Sequence, residues 1–197
     1  MKHIVLYSDG CTYQNRNSVL SNALCHVCQK FSIEVTQKYL ERGHTQMEVD
    51  SVHSVIEKKL KHRNIYVPQN YIDAITTACS VHPYQVQYLE YSFFRKYSDL
   101  SYYSTIRPGT KVGDPVVTDI RAIHYSPRGE ITIKLVFEEE FMELPRRARG
   151  AGVVGEEPPQ LHSGPLPIKR SKFQHLMELK AVIPSDFHAF FDSLPHE

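Results

Sequence analysis

Residues 3–10, HIVLYSDG, decide how the rest of the chain is read. His3 to Tyr7 is a compact β-branched and apolar run, and Ser8-Asp9-Gly10 closes it with turn residues. That is the pattern of a buried strand, and the central strands of open α/β sheets end this way. Asp9 then stands at a strand's carboxyl end, where such sheets bind ligands. Taken alone, an Asp before a Gly also serves to shape the turn.

The flanking sequence extends the strand into a unit. From Asn15 to Phe31, Val19, Leu20, Ala23, Leu24, Val27 and Cys28 recur at helical spacing, with Asn15 or Asn17 as N-cap. Ile33 to Leu40 alternates apolar and polar residues and then breaks phase, which reads as a second strand. Glu41-Arg42-Gly43 turns the chain into GHTQMEVDSVHSVIEKK, residues 43–59, and a helix running to about His62. Asp50, His53 and Glu57 fall at i, i+3 and i+7, on one helix face. Val49, Val52, Ile56 and Leu60 make an apolar stripe about 100° away. A short helix from Tyr71 to Cys79, capped by Asn70, follows.

The second half changes character. Tyr84 to Tyr91 alternates like a strand, and Ser92 to Tyr103 is an aromatic stretch with helical spacing, its Phe93, Phe94, Leu100 and Tyr103 expected in a core. Val116–Tyr125 and Glu130–Phe141 flank Ser126-Pro127-Arg128-Gly129, a hairpin with a turn between. Two short helices broken at Pro184 close the chain, the second capped by Ser185. The divisions that follow are a core at 1–80, a strand, helix and hairpin extension at 81–144, a Gly/Pro-rich flexible loop at 145–166, and a helical tail at 167–197. The fold class is α/β (α+β): a mixed sheet with helices, then a hairpin-containing segment and C-terminal helices.

Composition narrows the setting more than the function. Hydrophobic residues make up 41% and charged residues 23%, which is ordinary for a globular chain. The formal net charge of +1 gives no global field for steering nucleic acid, so any basic surface is local. No apolar run approaches the ~18 residues of a membrane span, so no membrane partner is expected. The four cysteines lack disulfide-framework spacing, and an intracellular, reducing setting is expected. Cys25-His26-Val27-Cys28 has no second ligand pair at zinc spacing and reads as buried thiols on a helix.

Strand, Asp9, helix, strand and acidic helix is the order in which RNase H-like nucleotidyl transferases present their carboxylates. Ser8-Asp9-Gly10-Cys11 with Gln14-Asn15-Arg16-Asn17, and Gly43-His44-Thr45 with Asp50, His53 and Ile56-Glu57-Lys58, resemble a large animal family derived from DDE-type transposases. Ile65-Tyr66, Pro68, residues 164–169 (GPLPIK) and Val182-Ile183-Pro184 continue the likeness.

The resemblance implies an RNase H-like sheet and an ancestral activity of metal-dependent DNA strand transfer or cleavage. Asp9 would be the second acidic ligand for Mg²⁺ or Mn²⁺, hard ions that prefer oxygen donors, and Glu57 or Asp50 the third. His44 and His53 would line the site, and Gln14, Asn15 and Asn17 would brace the loop after Asp9. Against this, Asp50 also suits a helix start and Glu57 an exposed pair with Lys61.

Families of this type supply a first Asp from an earlier strand, whereas this chain begins eight residues before Asp9. A missing N-terminal segment or a partner protein is therefore expected, and efficient DNA cleavage is not. DNA is the implied partner and the nucleus the implied location. The alternative is a non-catalytic, domesticated module that binds nucleic acid or protein.

Overall fold

The structure, a computed structural model, describes residues 2–41, 47–145 and 156–197. They fall in two compact units, 1–45 with 96–159 and 46–95 with 160–197. His44, Gly43 and Thr45, and residues 146–155 of the Gly/Pro-rich loop, lie outside the described residues.

The first unit is built on a sheet of five strands whose spatial order follows the chain. β1 (His3–Ser8) runs parallel to β2 (Glu34–Tyr39), joined through the short α1 (Thr12–Asn15) and α2 (Ser18–Phe31). β3 (Ala122–Tyr125), β4 (Ile131–Lys134) and β5 (Met142–Glu143) continue the sheet antiparallel. The mixed sheet with helices and a hairpin is the α+β architecture expected from the sequence. The hairpin turns at Ser126–Gly129 as expected, with strands shorter than the alternating pattern. Gly129 has φ +74°, and a Cβ there would come within 2.5 Å of Gln29 Nε2, so only glycine fits the turn.

β1 departs from its expected place. Among the described residues it pairs with β2 alone, so it is an edge strand rather than a central one, and Ile4, Val5, Leu6 and Tyr7 stay 38–55% exposed. Periodicity registers a strand's extended backbone but not what stands on its far side.

α2 has the expected Asn17 cap, whose Oδ1 accepts the Leu20 N–H at 2.9 Å. The helix is rotated from its expected apolar stripe. Its buried residues are Ser21, Asn22, Cys25, His26 and Cys28, while Val19 is exposed. They face Val35, Tyr39, Ile123, Tyr125, Ile131 and Ile133 in one core. Ser21 and Asn22 are met by partners, whereas His26 Nε2 is buried without a hydrogen bond among the described residues. Ser21 Oγ and the Tyr125 hydroxyl lie 3.1 Å apart, and Tyr125 donates to Gln37 Oε1 at 3.2 Å. Asn22 Nδ2 donates to the carbonyls of Leu100 and Tyr103, both at 3.0 Å, and its Oδ1 accepts the Tyr103 N–H at 2.9 Å. Tyr103 in turn accepts the Ile131 N–H on its hydroxyl at 2.9 Å, tying this loop to β4. Cys25 and Cys28 are fully buried on the helix, as expected, and burial pushes the Cys28 thiol up to about 11.

The second unit holds α3 (Glu48–Leu60), α4 (Pro68–Thr76), α5 (Arg170–Leu179) and α6 (His188–Asp192). Val52, Val55, Ile56 and Leu60 are half-buried on α3, while Asp50, His53 and Glu57 are exposed. α4 starts three residues earlier than expected, at Pro68, whose missing N–H suits a helix start; Asn70 Oδ1 accepts the Tyr66 and Val67 N–H groups. The break at Pro184 is present, though Ser185 opens a single 3₁₀ turn and makes no side-chain cap.

The strand expected at Tyr84–Tyr91 is not formed, and the helix expected at Ser92–Tyr103 is two 3₁₀ turns, Tyr91–Phe93 and Tyr97–Asp99. Ser, Tyr, Phe and Asp are weak helix formers, and alternation makes a strand only where a neighbour accepts its hydrogen bonds. Leu100 and Tyr103 are buried as expected, whereas Phe93 and Phe94 are exposed.

Candidate functional site

The loop after β1 is braced from below. Asn15 Nδ2 donates to Asp9 Oδ1 at 2.8 Å, and the Cys11 N–H reaches the same oxygen at 3.4 Å. The Asn15 carbonyl accepts the Tyr39 hydroxyl at 2.8 Å and Gln37 Nε2 at 3.0 Å. A continuous chain of hydrogen bonds thus runs from the exposed Asp9 carboxylate through Asn15 and Gln37 to Tyr125 and Ser21 in the core. Asn17 caps α2 and its Nδ2 donates to the carbonyls of Tyr13 and Gln14, so it closes the turn between the two helices. The Gln14 side chain is exposed.

Arg16 is the residue whose role the sequence did not disclose. It is 6% exposed, its guanidinium lies 4.2 Å from the Tyr39 ring centre, and Nη1 donates to the Thr118 carbonyl at 2.7 Å. A Cβ on Gly10 would come within 3.2 Å of Arg16 Nη2, so glycine lets the loop lie against the guanidinium. Burial lowers the Arg16 pKa, with Tyr39 opposing, and burial raises that of Tyr39. The N-R-N spacing showed a helix start; that the cation turns inward depends on Thr118, 102 residues away.

On α3 the structure separates the acidic candidates. Asp50 Oδ2 accepts the Met47 N–H at 2.8 Å, the reciprocal bond of a helix-start carboxylate. Glu57 is exposed, and no ion pair joins it to Lys61 among the described residues. His53 is exposed on the same face. Asp9, Gln14, Asn15 and Asn17 belong to the first unit; Asp50, His53 and Glu57 belong to the second. Among the described residues, no group of three His, Cys, Asp or Glu side chains could hold a metal ion.

The face of the sheet opposite α2 carries a second constellation. His3 Nε2 and His124 Nδ1 lie 2.8 and 3.1 Å from the Thr36 hydroxyl. Beside them, Lys38 Nζ lies 5.7 Å from the Tyr7 ring centre and Lys134 Nζ 4.8 Å from that of Phe141. Tyr7 and Phe141 are 55% and 39% exposed. Burial lowers the His124 pKa, Glu34 raises it and His3 lowers it further.

No helix among the described residues is long and apolar enough to cross a membrane. A family profile described as a domain of unknown function (DUF7869) matches residues 2–105, over half of the chain. No curated protein and no solved structure matches.

Proposed function

The chain belongs to the DUF7869 family of domains of unknown function, and from that premise we propose a transposase-derived RNase H-like domain. Its ancestral chemistry is metal-dependent DNA strand transfer or cleavage, which this chain does not carry out efficiently. The observation that carries this reading is the parallel β1–α2–β2 unit with Asp9 at the carboxyl end of β1, its carboxylate oriented by Asn15. The matched span includes that unit, α3 and α4. A DNA partner and a nuclear location belong to the same reading.

The available donors are oxygens, which suit Mg²⁺ or Mn²⁺. Asp9 would hold the ion through the oxygen that Asn15 leaves free. On α3, Asp50 is engaged at the helix start, whereas the Glu57 carboxylate is exposed. When bound, such an ion supplies Lewis-acid polarisation of a phosphodiester. The described residues do not assemble a complete site, so no catalytic step is assigned.

Calorimetric titration with Mg²⁺ or Mn²⁺ is expected to give a weak site, with a Kd of roughly 1 mM, as for metal modules with few protein carboxylates. Asp9→Ala should abolish the heat. A wild-type chain that binds neither ion, or an Asp9→Ala variant that binds equally well, removes the metal reading.

The open sheet face favours a second reading, a non-catalytic nucleic-acid-binding module. Exposed Tyr7 and Phe141, each with a lysine over its ring, offer stacking surfaces beside cations. Anisotropy with a labelled single-stranded oligonucleotide should show salt-sensitive binding that drops about 30-fold or more in Tyr7→Ala/Phe141→Ala, from roughly 1–3 kcal/mol for each of two stacked bases. Binding unchanged in that variant excludes the face.

A further inference from the structure

We propose that the free edge of β1 is a self-pairing surface, and that two copies of this chain join there in an antiparallel, two-fold arrangement. The hydrogen bonds to β2 fix which groups are available. The Glu34 N–H donates to the Lys2 carbonyl at 2.9 Å and the Leu40 N–H to the Ser8 carbonyl at 2.8 Å. Even-numbered residues of β1 therefore turn their backbone groups towards β2. The odd-numbered ones, His3, Val5 and Tyr7, direct theirs away from it. Among the described residues nothing pairs with those outward groups.

The strand also lacks the usual protection of an exposed edge. It has no proline, no bulge and no lysine or carboxylate between His3 and Ser8. Its apolar side chains emerge on both faces, Ile4 43%, Val5 40%, Leu6 38% and Tyr7 55% exposed.

The occupant is specified by the strand's own symmetry. Antiparallel pairing must oppose outward-facing residues to one another, so Val5 sits on the two-fold axis opposite Val5 of the second copy. His3 then faces Tyr7, and Ile4 faces Leu6 on the other side of the sheet. Aromatic meets aromatic and aliphatic meets aliphatic, because HIVLY reads nearly the same in class from either end. The pairing lays Lys2 of each copy opposite Ser8 of the other, so no like charges meet along the ladder. The contact is isologous and closes on itself, so it yields a dimer and not a filament. A five-residue ladder buries well under the ~1,200 Å² below which interfaces are weak. The dimer is accordingly weak, with a Kd on the order of 10–100 µM.

Sedimentation of the 197-residue chain tests this. The weight-average mass should rise from one copy towards two across that concentration range. Val5→Pro should leave the chain folded and monomeric, because it removes an N–H that faces outward and takes no part in the β1–β2 ladder. Val5→Lys, which sets two like charges on the axis, should act the same way, and circular dichroism reports whether each variant is folded. A wild-type chain that stays monomeric throughout overturns the proposal, as does a folded Val5→Pro variant that dimerises like the wild type. Slow hydrogen exchange at the His3, Val5 and Tyr7 amides in a monomer would mean that the chain occupies this edge itself, which also overturns it.

Discussion

Asn22→Leu is expected to cost about 3–5 kcal/mol of folding stability, more than a typical core truncation. The asparagine is 4% exposed and makes three hydrogen bonds to the backbone of Leu100 and Tyr103. Leucine keeps the branching and heavy-atom count with bulkier methyl ends, and two carbonyls and one N–H lose their bonds to the amide in a place water does not reach. Each orphaned group costs roughly 1–3 kcal/mol, and the three are not additive because the loop can relax. The loss also spreads, since Tyr103 holds the first N–H of β4 through its hydroxyl. Urea denaturation followed by circular dichroism measures the difference, with Val19→Ala on the exposed side of α2 as a control near zero. A cost below about 1 kcal/mol would show that water or rearrangement satisfies the loop, and the clamp would lose its assigned role.

Alkaline solution should unfold the first unit cooperatively near pH 11. Burial raises the pKa of Tyr39, Tyr102 and Tyr125, and holds the Cys28 thiol at about 11 against an ordinary 9.0. These groups are neutral when protonated, so at pH 8 folded and unfolded chains carry the same protons and stability is intact. As pH passes 9 for the thiol and 10 for the phenols, the unfolded chain releases protons that the folded chain retains. Unfolding is favoured by about 1.4 kcal/mol per pH unit for each such group.

By pH 11 the Cys28 thiol alone costs about 2–3 kcal/mol, and the buried phenols act in the same direction, a large part of the whole stability of a domain. Tyrosinate absorbance at 295 nm should rise in step with the loss of circular dichroism. An intact signal at pH 12 with phenolate absorbance already complete would contradict the burial assigned to these side chains. The acid limb has the opposite sign: His124, held below 6.5 chiefly by burial, contributes stability that fades as pH falls below that value.

Local signals account for what the sequence disclosed. Ser8-Asp9-Gly10 ends β1, Asn17 caps α2, Ser126–Gly129 turns the hairpin and Pro184 interrupts the tail, and each acts within a few residues. Asn15 beneath Asp9, at a separation of six residues, was implied by the family resemblance and not by a local signal. What stayed hidden depends on distant partners. Nothing near Asn22 announces that it faces inward, because the backbone it binds arrives 78 to 81 residues later. The edge position of β1 and the failure of Tyr84–Tyr91 to become a strand have one cause: a strand is defined by its neighbours. The choice between Asp50 and Glu57 could not be made from spacing, which places both on one face; the bond from Met47 distinguishes them.

The register of β2 against β3 has a consequence for how the chain is made. Val35 pairs with Tyr125, so the sheet of the first unit joins strands separated by the whole of 46–95. During synthesis β1, α2 and β2 leave the ribosome long before β3 and β4 exist to cover Cys25, Cys28 and Tyr39. Until about residue 135 has emerged, this nascent half has no closed core, and loop closure over that span is slow. The interval is when the apolar β1 and the unpaired side of β2 are most open to wrong partners, and a chaperone that shields extended apolar segments would act there. A piece cut at residue 105 would carry the family's signature and lack the strands that bury it.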